Sequence, residues 1–432
     1  VDGTDLQIVY SHEPGSTFPL GTTLVEVTVA DKSSNEATTS FSVTVQDTTP
    51  PEVTPPADKT VEATGPAGAS VTFSASATDL VDGPVPVTYW IGTTQITSPH
   101  TFPLGATVVT LKAVDGSGNN AQQTFKVTVG GLPPLEVNRY VGADRYGTAI
   151  LVSKAAYPEG ARYAFVAKGD NFPDALAAAP VAFAYDGPIV LTPSTGLTAS
   201  VKAELARLNP DIVFFIGLSD SVKPGIQQAV PTAEIRTVRG VNRYETAAML
   251  ADLLQARLGE QSKTVTKFVL ASGDVFPDAL SVGPLAASKG WAILLTPQAG
   301  PLPEFTKSAV ATLGLTKALI VGTRVQPPAS VTDKLSLVGD DRYHTGVLIA
   351  DYAKAQGHSF ARIAVAKGDD HPDALVIGPY LARDKGILLL SRSTALPGRT
   401  EEALTANRDS VLRVDFPGLP APIISAVEDL LR

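Results

Sequence analysis

Two carboxylates four residues apart, bracketing an aromatic residue and a proline, stand in Gly169-Asp170-Asn171-Phe172-Pro173-Asp174-Ala175-Leu176. The chain repeats the arrangement as Gly273-Asp274-Val275-Phe276-Pro277-Asp278-Ala279-Leu280 and as Gly368-Asp369-Asp370-His371-Pro372-Asp373-Ala374-Leu375. Carboxylates so placed can ligate a cation, contact a ligand or face the positive end of a helix that opens at the proline. Ahead of each copy stands a second signature, Gly-x-x-Arg-Tyr-x-Thr, carrying Arg145, Arg243 and Arg342. A guanidinium offers bidentate donors to phosphate or carboxylate. The period of roughly 100 residues means three copies of one domain-sized unit, because about that length buries a core of its own.

Each residue has a bland role to set beside the chemical one. Asp174, Asp278 and Asp373 are candidate ligand contacts, or stabilisers of a helix start. Arg145, Arg243 and Arg342 are candidate anion donors, or partners of those aspartates in salt bridges within or between units. Both pairs of readings stay open on the sequence alone. Tyr146, Tyr244 and Tyr343 read as packing residues. Asp369, Asp370, His371 and Asp373 crowd together as a metal site would, but the other copies have Asn171 or Val275 and Phe172 or Phe276 there. A function present three times does not rest on ligands found once, so no metal and no cofactor is expected. No His-Glu-x-x-His, Gly-x-Ser-x-Gly or Walker loop is present, and the chain is not expected to be an enzyme.

The elements that carry these residues alternate apolar runs with Ala- and Leu-rich helical stretches. In the first unit 163–167, 188–192 and 212–216 read as strands, with helices over 173–184, 198–208 and 224–229. The later units repeat the order, including helices over 277–287 and 372–382. Strands separated by helices of this length imply parallel sheets covered on both faces. The turn after the first strand then falls at its carboxyl end, where open α/β sheets place ligands. Ile189, Val190, Leu191, Ile293, Leu294, Leu295, Ile387, Leu388 and Leu389 read as buried strand residues.

Residues 1–129 have another texture, with Thr and Val alternating between Gly and Pro turns and no helical period. Phe18-Pro19-Leu20-Gly21 recurs at Phe102-Pro103-Leu104-Gly105, and Phe41-Ser42-Val43-Thr44-Val45 at Phe125-Lys126-Val127-Thr128-Val129. The common offset marks one domain unit. The first copy is expected to lack about its first third, and the chain reads as a mature or truncated piece. Asp115-Gly116-Ser117-Gly118-Asn119 resembles a calcium loop but reads better as a Gly- and Asn-rich turn.

Charge divides at the same place. The first 130 residues hold 13 acidic residues against four lysines and no arginine, whereas the rest holds 30 of each sign. No region is strongly basic, so nucleic acid is not an expected partner. There is no cysteine, and no apolar run reaches the 18 or so residues of a membrane span.

The Arg-Tyr signature, the Pro-Asp-Ala-Leu turn and the Ile-x-Leu strand, in one order in three copies, make residues 136–432 resemble the type 2 cell-wall-binding repeats. The front resembles hyalin repeats, an immunoglobulin-like family, through Asp47-Thr48-Thr49-Pro50-Pro51, Val61-Glu62-Ala63-Thr64-Gly65, Ala113-Val114-Asp115-Gly116-Ser117-Gly118-Asn119 and the repeated motifs above. The resemblances imply a multidomain chain: a partial β-sandwich at 1–46, a complete one at 47–130, and α/β modules at 136–235, 236–334 and 335–432. The modules are expected to pack as a pseudo-threefold trimer within a monomeric chain. The implied function is noncovalent anchoring of an extracellular surface protein to an anionic polymer of the Gram-positive cell wall, with the sandwiches as a stalk. In that family binding is associated with the Ile-Leu-Leu strand. The alternatives are a display of adhesive sandwiches that contact other surface proteins, and the non-catalytic anchor of a wall hydrolase.

Overall fold

The computed structural model describes residues 6–65, 67–131, 134–170, 174–275, 277–370 and 372–431. Asn171, Phe172, Pro173, Phe276 and His371 of the repeated turns, and Val1-Asp2-Gly3, lie outside them. Two compact units divide the chain, 1–133 and 134–432.

The first unit is all β. Gln7–Tyr10, Gly21–Ala30 and Glu36–Val45 form an antiparallel sheet. In the second repeat Gly105–Val114 and Asn120–Val129 form the matching hairpin, within a five-stranded sheet. A smaller sheet of Glu52–Thr54, Ser76–Asp79 and Gly83–Val85 contributes Val53, Ala77 and Val85 to the same core, built around Phe73, Phe102 and Phe125. One pair of equivalent residues differs in burial between the two repeats. Phe125 is 3% exposed, whereas Phe41 at the same place in the first repeat is 50% exposed.

The second unit contains three four-stranded parallel sheets. The first has the order Ile189–Thr192, Tyr163–Lys168, Ile212–Ile216, Glu234–Val238. The second runs Ala292–Thr296, Phe268–Ser272, Lys317–Val321, Asp333–Leu337. In each, the last strand comes from the start of the following sequence repeat, just ahead of its Gly-x-x-Arg-Tyr signature. The third sheet shows the consequence. Arg413–Pro417 takes its edge partner from Glu136–Tyr140, at the beginning of the unit, so the exchange closes into a ring. Each sheet therefore runs a few residues beyond the repeat boundary that the motifs mark at 235 and 334.

Helices close the same ring on the inside. The turn helices are Ala178–Ala184 in the first module, Pro277–Ser281 with Gly283–Lys289 in the second, and Pro372–Arg383 in the third, and all three pack on one another. Leu176, Leu280 and Leu375 meet there with Ala179, Gly283 and Gly378 around a void of only about 10 Å³. Small side chains let the helices approach, and one hydrophobic core runs through all three modules. The arrangement is a pseudo-threefold trimer made by one chain. Ile189, Val190, Leu191, Ile293, Leu294, Leu295, Ile387, Leu388 and Leu389 are all buried in their sheets. Among the described residues no helix is long and apolar enough to cross a membrane.

Candidate functional site

Both repeated motifs gather where the parallel strands end. The signature helices are Arg145–Ala156, Arg243–Glu260 and Arg342–Ala355. Asp144, Asn242 and Asp341 cap them, their side chains accepting from backbone N–H groups of the first turn. The signature glycines lie under that turn. A Cβ on Gly142 would come within 2.3 Å of the Thr148 nitrogen, and one on Gly339 within 2.5 Å of the Thr345 nitrogen.

With the helix seated, its arginine reaches the strand end. Arg145 Nη1 donates to the Gly169 carbonyl at 2.6 Å and Arg342 Nη1 to the Gly368 carbonyl at 2.7 Å, and Arg243 makes the same bond to Gly273. Each arginine thus ties its signature to the Gly-Asp turn of its own module. The carboxylate beside Arg243 is Asp274 at 3.5 Å, and the one beside Arg145 is Asp370 of the third module at 3.6 Å. These two arginines thus lie beside other carboxylates than those of the Pro-Asp pair, whose bridge the sequence leaves open as one alternative.

Asp278 and Asp373 turn instead towards the next module. They are 6% and 2% exposed. Burial pushes the Asp278 carboxyl up to about 6, against the opposing effects of a hydrogen bond from Thr345 and of nearby Arg342. Burial likewise raises Asp373, offset by Lys367 and by a hydrogen bond from Thr148. Those threonines close the Gly-x-x-Arg-Tyr-x-Thr signatures of the third and first modules, so the second module is latched to the third and the third to the first. Lys367 Nζ lies 3.1 Å from Asp373 Oδ2. Each aspartate also rests on a glycine that ends a neighbouring strand. Gly217, Gly322 and Gly418 all have positive φ, and a Cβ on any of them would collide with Asp174, Asp278 or Asp373. Only glycine suits a left-handed position so tightly covered.

The first aspartate of the turn has a role that sequence reasoning missed. Asp170 Oδ2 accepts from Ser194 N at 3.0 Å and Oγ at 2.6 Å, and Asp369 Oδ2 from Ser393 N and Oγ at 2.8 Å. Asp274 accepts from Gln298 N at 3.2 Å. The pair Gly-Asp thus fastens the loop that leaves the adjacent strand. Its threefold recurrence was the available signal, but the partner is a backbone N–H that no motif displays.

Two clefts open at equivalent module seams. One of about 300 Å³ lies between the first and second modules and is lined by Lys168, Asp174, Gly217, Arg239, Asn242 and Arg243. Its counterpart between the second and third is about 380 Å³ and includes Gln298, Gly322, Arg324, Val338, Gly339 and Asp340. Both present exposed peptide edges with arginine at the rim, a surface suited to a polar and anionic chain. The family model described as cell wall binding domain 2 (CWB2) matches 139–227, 237–327 and 337–421. The chain belongs to that family.

Its α/β half is therefore a cell-wall-binding region, and the protein is associated with the wall at the cell surface. The HYR domain model matches 1–45 and 46–129, ahead of the CWB2 modules. The N-acetylmuramoyl-L-alanine amidase LytC of Bacillus subtilis (strain 168) is 28% identical over 266 residues, 60% of this chain and 51% of that protein. The amidase enhancer of the same organism is 24% identical over 335 residues, covering 75% and 44%. The chain thus spans about half the length of the curated relatives it matches. Cwp6 from Clostridium difficile has a similar fold, with a TM-score of 0.60 at 18% identity, over 99% of this chain and 68% of that one. Cwp8 gives 0.57 at 17%, over 100% and 81%.

Proposed function

We propose that the three CWB2 modules hold a surface protein to the wall by gripping an anionic secondary polymer at the module seams, with the HYR domains as a stalk. The observation that carries this reading is the pair of equivalent clefts at the strand ends, each rimmed by arginine. In this reading Arg243, which lines the first cleft, and its counterparts Arg145 and Arg342 in the other modules are the candidate contacts to the polymer. Asp174, Asp278 and Asp373 shape the seam floor and lock adjoining modules. Ile189, Val190, Leu191, Ile293, Leu294, Leu295, Ile387, Leu388 and Leu389 serve binding only by holding the sheets. The trimer is internal, so the binding species is one chain. Several weak contacts along one polymer gain from effective concentration, so modest affinity at each seam gives firm attachment.

The 432-residue chain is expected to sediment with wall sacculi that keep their secondary polymers and to be released by salt. Equal binding to sacculi stripped of those polymers defeats the polymer reading. The match to LytC favours one further reading, that these modules are the anchor part of a wall hydrolase while the residues present here catalyse nothing. Muralytic activity of this chain on purified sacculi would show that second clause to be wrong.

A further inference from the structure

Four aspartates distant in sequence meet at one pole of the complete HYR domain. Asp47 follows the strand Glu36–Val45, Asp79 ends Ser76–Asp79, Asp82 precedes Gly83–Val85, and Asp115 follows Gly105–Val114. One carboxylate oxygen from each lies within 4.8 Å of the others. Oxygens bound to a calcium ion at roughly 2.3–2.6 Å are separated by up to about 5 Å across it, so these four fit around one such ion.

Their hydrogen bonds are divided in a telling way. Asp79 Oδ1 accepts from Val81 N at 2.7 Å and Asp82 N at 3.0 Å, and Asp47 Oδ1 accepts from Thr49 N at 3.0 Å. Asp82 Oδ2 accepts from Gly116 N at 2.7 Å, and Asp115 Oδ1 from Ser117 N and Asn119 N. Oδ2 of Asp79 and Oδ2 of Asp47 are buried with no hydrogen-bond partner, and Asp79 is only 8% exposed. A bare carboxylate oxygen buried against three other carboxylates is doubly costly. It forfeits hydration, and each neighbouring like charge repels it more strongly the less water screens the pair.

We propose that this pole binds one calcium ion through Asp47, Asp79, Asp82 and Asp115, with water completing the shell. The all-oxygen, all-carboxylate set, with no nitrogen or sulfur donor, suits a hard cation better than zinc. Four carboxylates in one cage suit calcium better than magnesium, which keeps much of its water. The reading of Asp115-Gly116-Ser117-Gly118-Asn119 as a plain turn is thereby revised, because the other three ligands come from elsewhere in the chain. Bound calcium ties the entry of the domain, at Asp47, to two of its hairpin turns. It stiffens the point where the first repeat passes into the second.

The test is isothermal titration of the 432-residue chain, stripped with EDTA, against calcium chloride and separately magnesium chloride. One calcium per chain is expected, with a midpoint below about 1 mM, the weak end for extracellular sites, and binding at least about tenfold weaker for magnesium. Asp79→Asn, which keeps Oδ1 for its backbone donors, and Asp82→Asn, at the exposed side, should each weaken calcium at least tenfold. The thermal midpoint in EDTA reports whether each variant still folds. No calcium binding up to about 5 mM, equal magnesium affinity, or undiminished binding in the folded variants overturns the proposal.

Discussion

A buried carboxylate with a raised pKa makes stability depend on pH in a direction opposite to the common acid-induced loss. Asp278 titrates near 6 in the folded protein against an ordinary value of 3.8. Between those values the native state holds a proton that the unfolded chain has released, so stability falls as pH rises through the window. The total is at most about 3 kcal/mol. Thermal melts of the α/β half should therefore give a higher midpoint at pH 5 than at pH 7.5. Asp278→Asn, which retains an oxygen to accept from Thr345, should flatten that slope and be the more stable protein at neutral pH. A variant with the parent's slope would show that the carboxyl is not the group titrating. The residue scale was also where the sequence was hardest to read. That Arg145, Arg243 and Arg342 recur was plain, but their acceptor is the carbonyl of Gly169, Gly273 or Gly368. Backbone groups are the same in every residue, so a side chain's choice of carbonyl leaves no trace in residue types. The Asp–Thr latch between modules was hidden for a related reason, since Thr345 and Thr148 find their carboxylates only once the modules assemble.

Buried parallel strands were legible because they bury both faces. Tyr163–Lys168, Phe268–Ser272 and Arg362–Lys367 lie at the middle of their sheets and carry continuous apolar runs bounded by charge or glycine. Glu136–Tyr140, Glu234–Val238 and Asp333–Leu337 were not, being largely polar edge strands that pair with a different repeat. Charged edge strands also guard against pairing between molecules. The helix read over 277–287 is interrupted at Val282, ahead of Pro284, whereas its counterpart Pro372–Arg383 carries Pro379 at the same repeat position and stays continuous. The strand exchange predicts how fragments behave. A piece cut at the motif boundaries, 136–235, keeps a strand whose partner is Arg413–Pro417 and loses most of the strand its own sheet needs. It is expected to oligomerise or aggregate in sedimentation velocity, whereas 134–432 stays monomeric. A monodisperse, folded 136–235 would show that the exchanged strands are dispensable.

At the scale of the molecule, the three turn helices are the common floor on which the seams stand. Ala179 lies with Gly283 and Gly378 at their meeting point, where a void of only about 10 Å³ remains. A Cβ placed on Gly378 would lie 3.5 Å from the Ala179 Cβ, and one on Gly283 3.6 Å. Ala179→Leu must therefore drive the helices apart, at a cost of about 1–3 kcal/mol or more. A lowered unfolding midpoint in urea with weaker binding to sacculi is expected, since all the seams share this floor. An unchanged midpoint would place the helices further apart than described. The ring also sets a count. A strand lent forward by each repeat finds an acceptor only if the last repeat can receive from the first, and three units turning about one axis satisfy that condition. Adding a fourth or deleting one leaves a donor without a receiver and a sheet without its edge, so an anchor of this kind grows or shrinks by whole triplets.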